Sequence, residues 1–283
     1  MATAEQAREQ GRTHGEFGAE QGRDTAAGPR GYPEEPGGEP GLGTDAGRDA
    51  RATILYVDAR GPAGREALHD RQYAHQMLVW AAGGGTGSRA EAAVLFRTEE
   101  WAREGARLMV QSAGPLDWRV LPRGLLARAP EETDLGPLAA GLARGQRYSF
   151  VLEGRTIQRM PLGGDAPGGT RGGACGGRTR ERERELCLSD DRDVRGWLDR
   201  VCLRHGLAAD ADEAGLPLVR PVPTGGRVLH EGRKGGLAVL HGHRFEGILT
   251  IADPRLAREA LLLGLGRGRA YGYGLLTLTW RMG

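Results

Sequence analysis

Five glycines fall within eleven residues near the C-terminus, at 264, 266, 268, 272 and 274, with Arg267, Arg269 and Tyr271 between them. Ahead of them Gly247–Ala252 has strand composition, Asp253 and Pro254 make a cap and first-turn pair, and Arg255–Leu263 places apolar residues at helical spacing. Behind them Leu275–Trp280 reads as a strand. The order is strand, helix, glycine loop, strand. A dinucleotide or P-loop fingerprint needs glycines that leave a strand and open a helix, so that helix amides meet phosphate. This loop runs the other way, and no window of it fits G-x-G-x-x-G, so a nucleotide-binding enzyme rests on glycine content alone. Glycine admits positive φ and the close approach of another backbone, and arginines between glycines set guanidinium groups beside that approach.

The rest of the chain supplies elements of matching kind. Thr53–Asp58 reads as a strand, Arg65–Ala82 as a helix with Leu68, Met77, Leu78 and Ala81 on one face, and Glu91–Glu99 and Ala106–Ser112 as two strands. Gly136–Leu142 reads as a short helix and Gln146–Leu152 as an alternating strand. That is strand, helix, strand, strand, helix, strand, the ferredoxin-like βαββαβ arrangement. After the glycine-dense Leu162–Thr179 the same order recurs. It runs through a strand near Arg182–Leu188, a helix over Asp191–Leu207, strands across Leu216–Leu229 and Leu237–Ala252, a helix over 254–263 and a strand over 274–280. The expected fold is α+β, two tandem ferredoxin-like domains at 51–161 and 180–283, joined by a flexible 162–179 insertion.

Residues 1–50 hold five Arg against ten Asp or Glu and almost no β-branched or aromatic residues, which predicts a disordered acidic tail. Residues 51–283 then carry 34 basic against 27 acidic groups, so the folded part is basic and suits a polyanionic partner. No run approaches the roughly 20 apolar residues of a membrane helix, and there is no apolar signal core, which predicts a cytoplasmic protein without a membrane partner. Cys175, Cys187 and Cys202 form no C-x-x-C pair; neither a zinc ribbon nor a disulfide framework is expected, and the thiols should be reduced.

The run GLGRGRAYGYGLLTL, preceded by FEGILTIADP, resembles the C-terminal signature of CasE, the CRISPR RNA processing endoribonuclease of the type I-E Cascade complex. The likeness extends more faintly from about Thr53 to the end. It implies, independently of the element order, a tandem ferredoxin-like architecture. It also implies a metal-independent endoribonuclease with no cofactor, which cuts the repeat hairpin of precursor CRISPR RNA to a 2′,3′-cyclic phosphate and a 5′-hydroxyl and works beside other Cascade subunits.

The resemblance assigns a catalytic role to His75 in DRQYAHQMLVW. Imidazole exchanges protons near neutral pH, and cleavage by the 2′-hydroxyl needs a base for that oxygen or an acid for the leaving 5′-oxygen. The family pattern has a tyrosine three residues before the histidine, where Gln72 stands. Tyr73, two residues before and about 200° round the helix, is the remaining candidate for a catalytic hydroxyl, and it points elsewhere unless the helix starts late. A basic run near the scissile phosphate corresponds to HEGRKG, His230–Gly235, which gives Arg233 and Lys234 a role in stabilising phosphorane charge; a solvated turn is the plain alternative. Lys234 is the single lysine of the chain. Arg267 and Arg269, with Gly264, Gly266, Gly268, Gly272 and Gly274, form the expected RNA-binding loop. Arg180, Arg182 and Arg184 alternate with glutamates: a strand would line all three up as an RNA rail, Arg182 and Arg184 included, whereas the slightly favoured alternative is a salt-bridged helix or a disordered segment. His241 and His243 share a strand face without a third ligand at useful spacing, and no carboxylate cluster suggests a metal site. A non-cleaving RNA-binding subunit is the reading that competes with the ribonuclease.

Overall fold

The computed structural model describes residues 49–83, 94–101, 105–161, 183–212, 218–230 and 237–282. The expected acidic tail and the 162–179 insertion lie outside the described residues. β1 (Arg51–Val57) leads through α1 (Pro62–His69) and α2 (Arg71–Ala81) to β2 (Leu95–Trp101) and β3 (Gly105–Ser112). A single 3-10 turn at Trp118–Val120 then precedes β4 (Glu131–Asp134). These strands form one antiparallel sheet ordered β2-β3-β1-β4. That is the ferredoxin-like order, with the second helix reduced to the 3-10 turn.

Two sequence expectations change here. The single helix over Arg65–Ala82 is two helices, because Asp70 leaves helical backbone (φ −106, ψ 103) and caps α2, its carboxylate accepting from the amides of Gln72 at 2.8 Å and Tyr73 at 3.2 Å. The strand over Gln146–Leu152, expected to close the first half, belongs to the second sheet. It is β5 (Arg147–Gly154), reached through α3 (Gly136–Gly141), and it pairs with β10 (Leu237–Ile251) and β11 (Leu276–Met282). The strand that closes the first sheet, β4, reads EETD and is exposed throughout, so no apolar alternation announces it.

The second sheet runs β11-β5-β10-β8, with β8 at Leu207–Ala209, and β9 (Val219–His230) also pairs with β10. Its helices are α4 (Asp191–Arg204) and α5 (Pro254–Leu263). α4 buries Val194, Trp197, Leu198 and Val201, an i, i+3, i+4, i+7 stripe. β6 (Ile157–Pro161) and β7 (Glu183–Cys187) form a separate two-stranded ribbon between β5 and α4. The strand expected to open the second half is therefore this ribbon's second member.

Each half has its own apolar core. Leu55, Leu68, Leu78, Phe96 and Leu108 lie in one, and Phe150, Leu152, Val201, Phe245 and Leu261 in the other. The joint between them is polar. Arg97, fully buried on β2, donates to Glu99 Oε1 at 2.8 Å and, through Nη1, to Leu275 O at 3.3 Å and Thr277 Oγ1 at 3.1 Å in the second half. Burial lowers the Arg97 pKa against the pull of Glu99. Gln111 Nε2 donates to Leu261 O at 2.6 Å and Leu262 O at 3.1 Å, satisfying carbonyls at the end of α5. Cys187 is disulfide-bonded, which corrects the expectation of reduced thiols throughout; Cys202 is free and buried.

Candidate functional site

The glycine loop leaves α5 at Gly264 and folds back on itself before β11. Leu265 N–H donates to Gly274 O at 2.8 Å, Tyr271 N–H to Gly268 O at 2.8 Å, and Gly274 N–H to Glu153 O of β5 at 2.7 Å. Two glycines show what the composition is for. Gly274 has φ +87, and a Cβ there would stand 2.4 Å from Leu265 O; at Gly272, φ +76, it would stand 3.0 Å from the Phe96 ring and 3.1 Å from Arg71 Nη1. The backbone that comes close at Gly274 is thus the loop's own, at Leu265, with β5 bonded to it through Glu153 O, and side chains of the first half press on Gly272. Tyr273, fully buried, donates its hydroxyl to Leu240 O of β10 at 3.2 Å, and burial raises its pKa.

α2 packs against the loop's 3-10 turn, Arg269–Tyr271, and against β9. Arg71, the first residue of α2, makes that junction. Nη1 donates to Tyr271 O at 2.6 Å, Nη2 to Glu153 Oε2 at 2.9 Å, and the guanidinium lies 4.4 Å from the centre of the Tyr273 ring. His75 follows one turn later, half-buried and on the same face by i, i+4 spacing. The face that carries the imidazole is therefore the one held to the glycine turn.

Tyr73 is placed differently. It packs against the first core, and burial, helped by Glu66, raises its pKa. Because α2 starts at Arg71, both Tyr73 and His75 are helical, and the two-residue step separates them by about 200°. As the spacing predicts, Tyr73 points away from the side of α2 that carries His75. Gln72 stands on the histidine side, half-buried.

Arg267 and Arg269 are both half-exposed. Arg269 donates to Leu263 O at 3.0 Å and Gly266 O at 3.3 Å, so it caps the carbonyl end of α5. Arg233, Lys234 and Arg182 lie outside the described residues; the first two belong to the connection between β9 and β10. Arg184 is on β7 opposite Met160. The helix slightly favoured around it gives way to a strand over Glu183–Cys187. Pairing with β6 and burial of Leu186 outweigh helix propensity there, and the buried Glu185 accepts from Arg155 Nη2 at 2.6 Å.

His241 is exposed while His243 is buried with Nδ1 2.7 Å from Thr156 Oγ1. Among the described residues no three His, Cys, Asp or Glu side chains gather as a metal site, and no helix is long and apolar enough to cross a membrane. Sequence reading missed the buried charges Arg71, Glu153, Arg97 and Glu99. The signals available were an arginine directly after the cap of the His75 helix and an arginine inside the strand Leu95–Trp101.

The sequence family described as CRISPR associated protein matches residues 52–279. The CRISPR-associated endoribonuclease Cse3 of Thermus thermophilus is 26% identical over 229 residues, which cover 77% of this chain and 95% of that protein. Among solved structures, Thermus thermophilus Cse3 bound to an RNA representing a pre-cleavage complex has a TM-score of 0.64 at 24% identity, covering 82% of this chain and 99% of that one. Cas6e from Escherichia coli has a TM-score of 0.52 at 19% identity, with 81% and 98% covered. The structural likenesses carry the fold, and they agree with the tandem ferredoxin-like arrangement of the two sheets.

Proposed function

This chain belongs to the CRISPR-associated protein family, and from that premise we propose that it is a metal-independent endoribonuclease. Its substrate is the repeat hairpin of precursor CRISPR RNA, and it stays on the product as a subunit of a Cascade-type complex in the cytoplasm. The observation that carries the reading is the match over residues 52–279, joined to a histidine-bearing helix packed on the glycine turn.

The chemistry follows from ribose itself. The 2′-oxygen attacks the neighbouring phosphorus as it loses its proton, the P–O5′ bond breaks, and the 5′-oxygen gains a proton. The products are a 2′,3′-cyclic phosphate and a 5′-hydroxyl. His75 takes one of these protons or supplies the other. Arg233 and Lys234, in the β9–β10 connection, stabilise the extra negative charge on the phosphorane. Arg267 and Arg269, with Arg182 and Arg184, bind the backbone of the hairpin, whose deep major groove resists side-chain reading of base edges.

Incubation with a hairpin RNA made from the host's own CRISPR repeat, in EDTA, tests the reaction class. Cleavage should proceed, and the downstream fragment should accept a 5′ label from a polynucleotide kinase without prior dephosphorylation. Cleavage that requires an added divalent ion would overturn the mechanism. One observation favours a second reading, a hairpin-binding subunit that does not cut: Gln72 occupies the position where the family resemblance expects tyrosine, and Tyr73 packs on the core. Tight binding without product under single-turnover conditions would leave only that role.

A further inference from the structure

Arg71 and Glu153 form an ion pair across the joint of the two halves, with side chains only 2% and 6% exposed. A pair this deep loses hydration on both partners, and apolar residues of similar volume commonly stabilise a fold as well or better. What an apolar pair could not do is fix direction. The Arg71 guanidinium meets three partners at once: the carbonyl of Tyr271 in the glycine turn, the carboxylate of Glu153 on β5, and the face of Tyr273. All three belong to the second half, whereas Arg71 opens the helix of the first half that carries His75. Gly272 leaves room for this, since a side chain there would press on Nη1 at 3.1 Å.

We infer that Arg71 is a positioning residue for RNA cleavage, holding the His75 helix in register on the glycine turn so that the imidazole meets the phosphate the turn receives. The inference rests on the ribonuclease reading. Arg71 acts through His75 and through the turn, because its guanidinium is buried at the joint with Nη1 committed to Tyr271 O and Nη2 to Glu153 Oε2. The rigid fork of an arginine suits two acceptors and a ring at once, while lysine offers one compact ammonium. A misplacement of about 1 Å in such a site can cost on the order of 100-fold in rate.

The test is single-turnover cleavage of the host-repeat hairpin RNA by the full chain, with enzyme in saturating excess, beside equilibrium binding of the same RNA. Saturation makes the maximal rate insensitive to an inactive fraction, so a loss of fold alone does not lower it. Arg71→Ala should lower the maximal rate about 30- to 100-fold while changing affinity less than about threefold, and Arg71→Lys should recover part of the rate. If Arg71→Ala does not yield folded protein, Glu153→Gln, which keeps shape and removes charge, should lower the maximal rate about 5- to 10-fold, taken as a smaller misplacement of the same helix. A wild-type maximal rate in Arg71→Ala, or in Glu153→Gln where the first cannot be made, would overturn the positioning role alone. Wild-type protein that binds the hairpin and never cuts it would overturn the ribonuclease reading, and this role with it.

Discussion

Gly274→Ala isolates what the glycine loop demands of its backbone. At φ +87 an L-residue is strained by about 1–2 kcal/mol. A second cost comes from space: the new Cβ would stand 2.4 Å from Leu265 O, against the 3.4–4 Å of ordinary contact, so the loop must open by roughly an ångström. Opening strains two buried hydrogen bonds that close the loop, Leu265 N–H to Gly274 O at 2.8 Å and Gly274 N–H to Glu153 O at 2.7 Å, each contributing about 1 kcal/mol. The total is about 3–4 kcal/mol. Gly145→Ala is the control, because φ is +83 but nothing lies within 4 Å of the added Cβ, which leaves about 1–2 kcal/mol of strain alone. Urea unfolding of both variants beside wild type, compared at equal m-value, gives the difference directly. A penalty at Gly274 no larger than that at Gly145 would refute the claim that the loop is closed on its own backbone.

Two further outcomes concern ionisable groups outside the loop. Burial pushes the Cys202 thiol up to about 12, so it stays protonated at pH 8, and iodoacetamide should modify it only after urea unfolding; labelling of the folded chain at Cys202 would contradict its packing among Val201, Leu198 and Leu207. Burial lowers the His243 pKa, against a smaller opposing effect of Asp191. The unfolded imidazole titrates near 6.5, so the stability this residue contributes is present above that pH and is lost as pH falls below it toward the folded value. Stability measured at pH 7.5 and 5.5 should therefore drop less in His243→Asn than in wild type, and an equal drop would reject the assignment.

Much of the architecture was legible because apolar periodicity and caps report it. Asp253–Pro254 marks the start of α5 as expected, its carboxylate accepting from Arg255 N and Leu256 N, and the two-sheet α+β arrangement was visible from the element order. What periodicity cannot report is which sheet a strand joins. β5 alternates as a core strand of either half would, and only its pairing with β10 and β11 assigns it. β4, all polar, had no apolar signal to give. The break at Asp70 could have been read from its capping chemistry, an Asp ahead of Gln72 and Tyr73, but the apolar stripe runs across it. At the site, the His75 helix and the glycine turn were both singled out from sequence, and the structure packs them together. The ion pair that links them was invisible, because Arg71 and Glu153 are 82 residues apart and each looks like an ordinary surface charge.

The central claim is that the His75 imidazole moves a proton in the cleavage step, and His75→Ala assayed on the host-repeat hairpin in EDTA tests it most directly. The account predicts hairpin affinity within about threefold of wild type and a single-turnover rate lower by about 10²- to 10⁴-fold, the usual worth of a positioned acid or base. Cleavage by His75→Ala at the wild-type rate would contradict it.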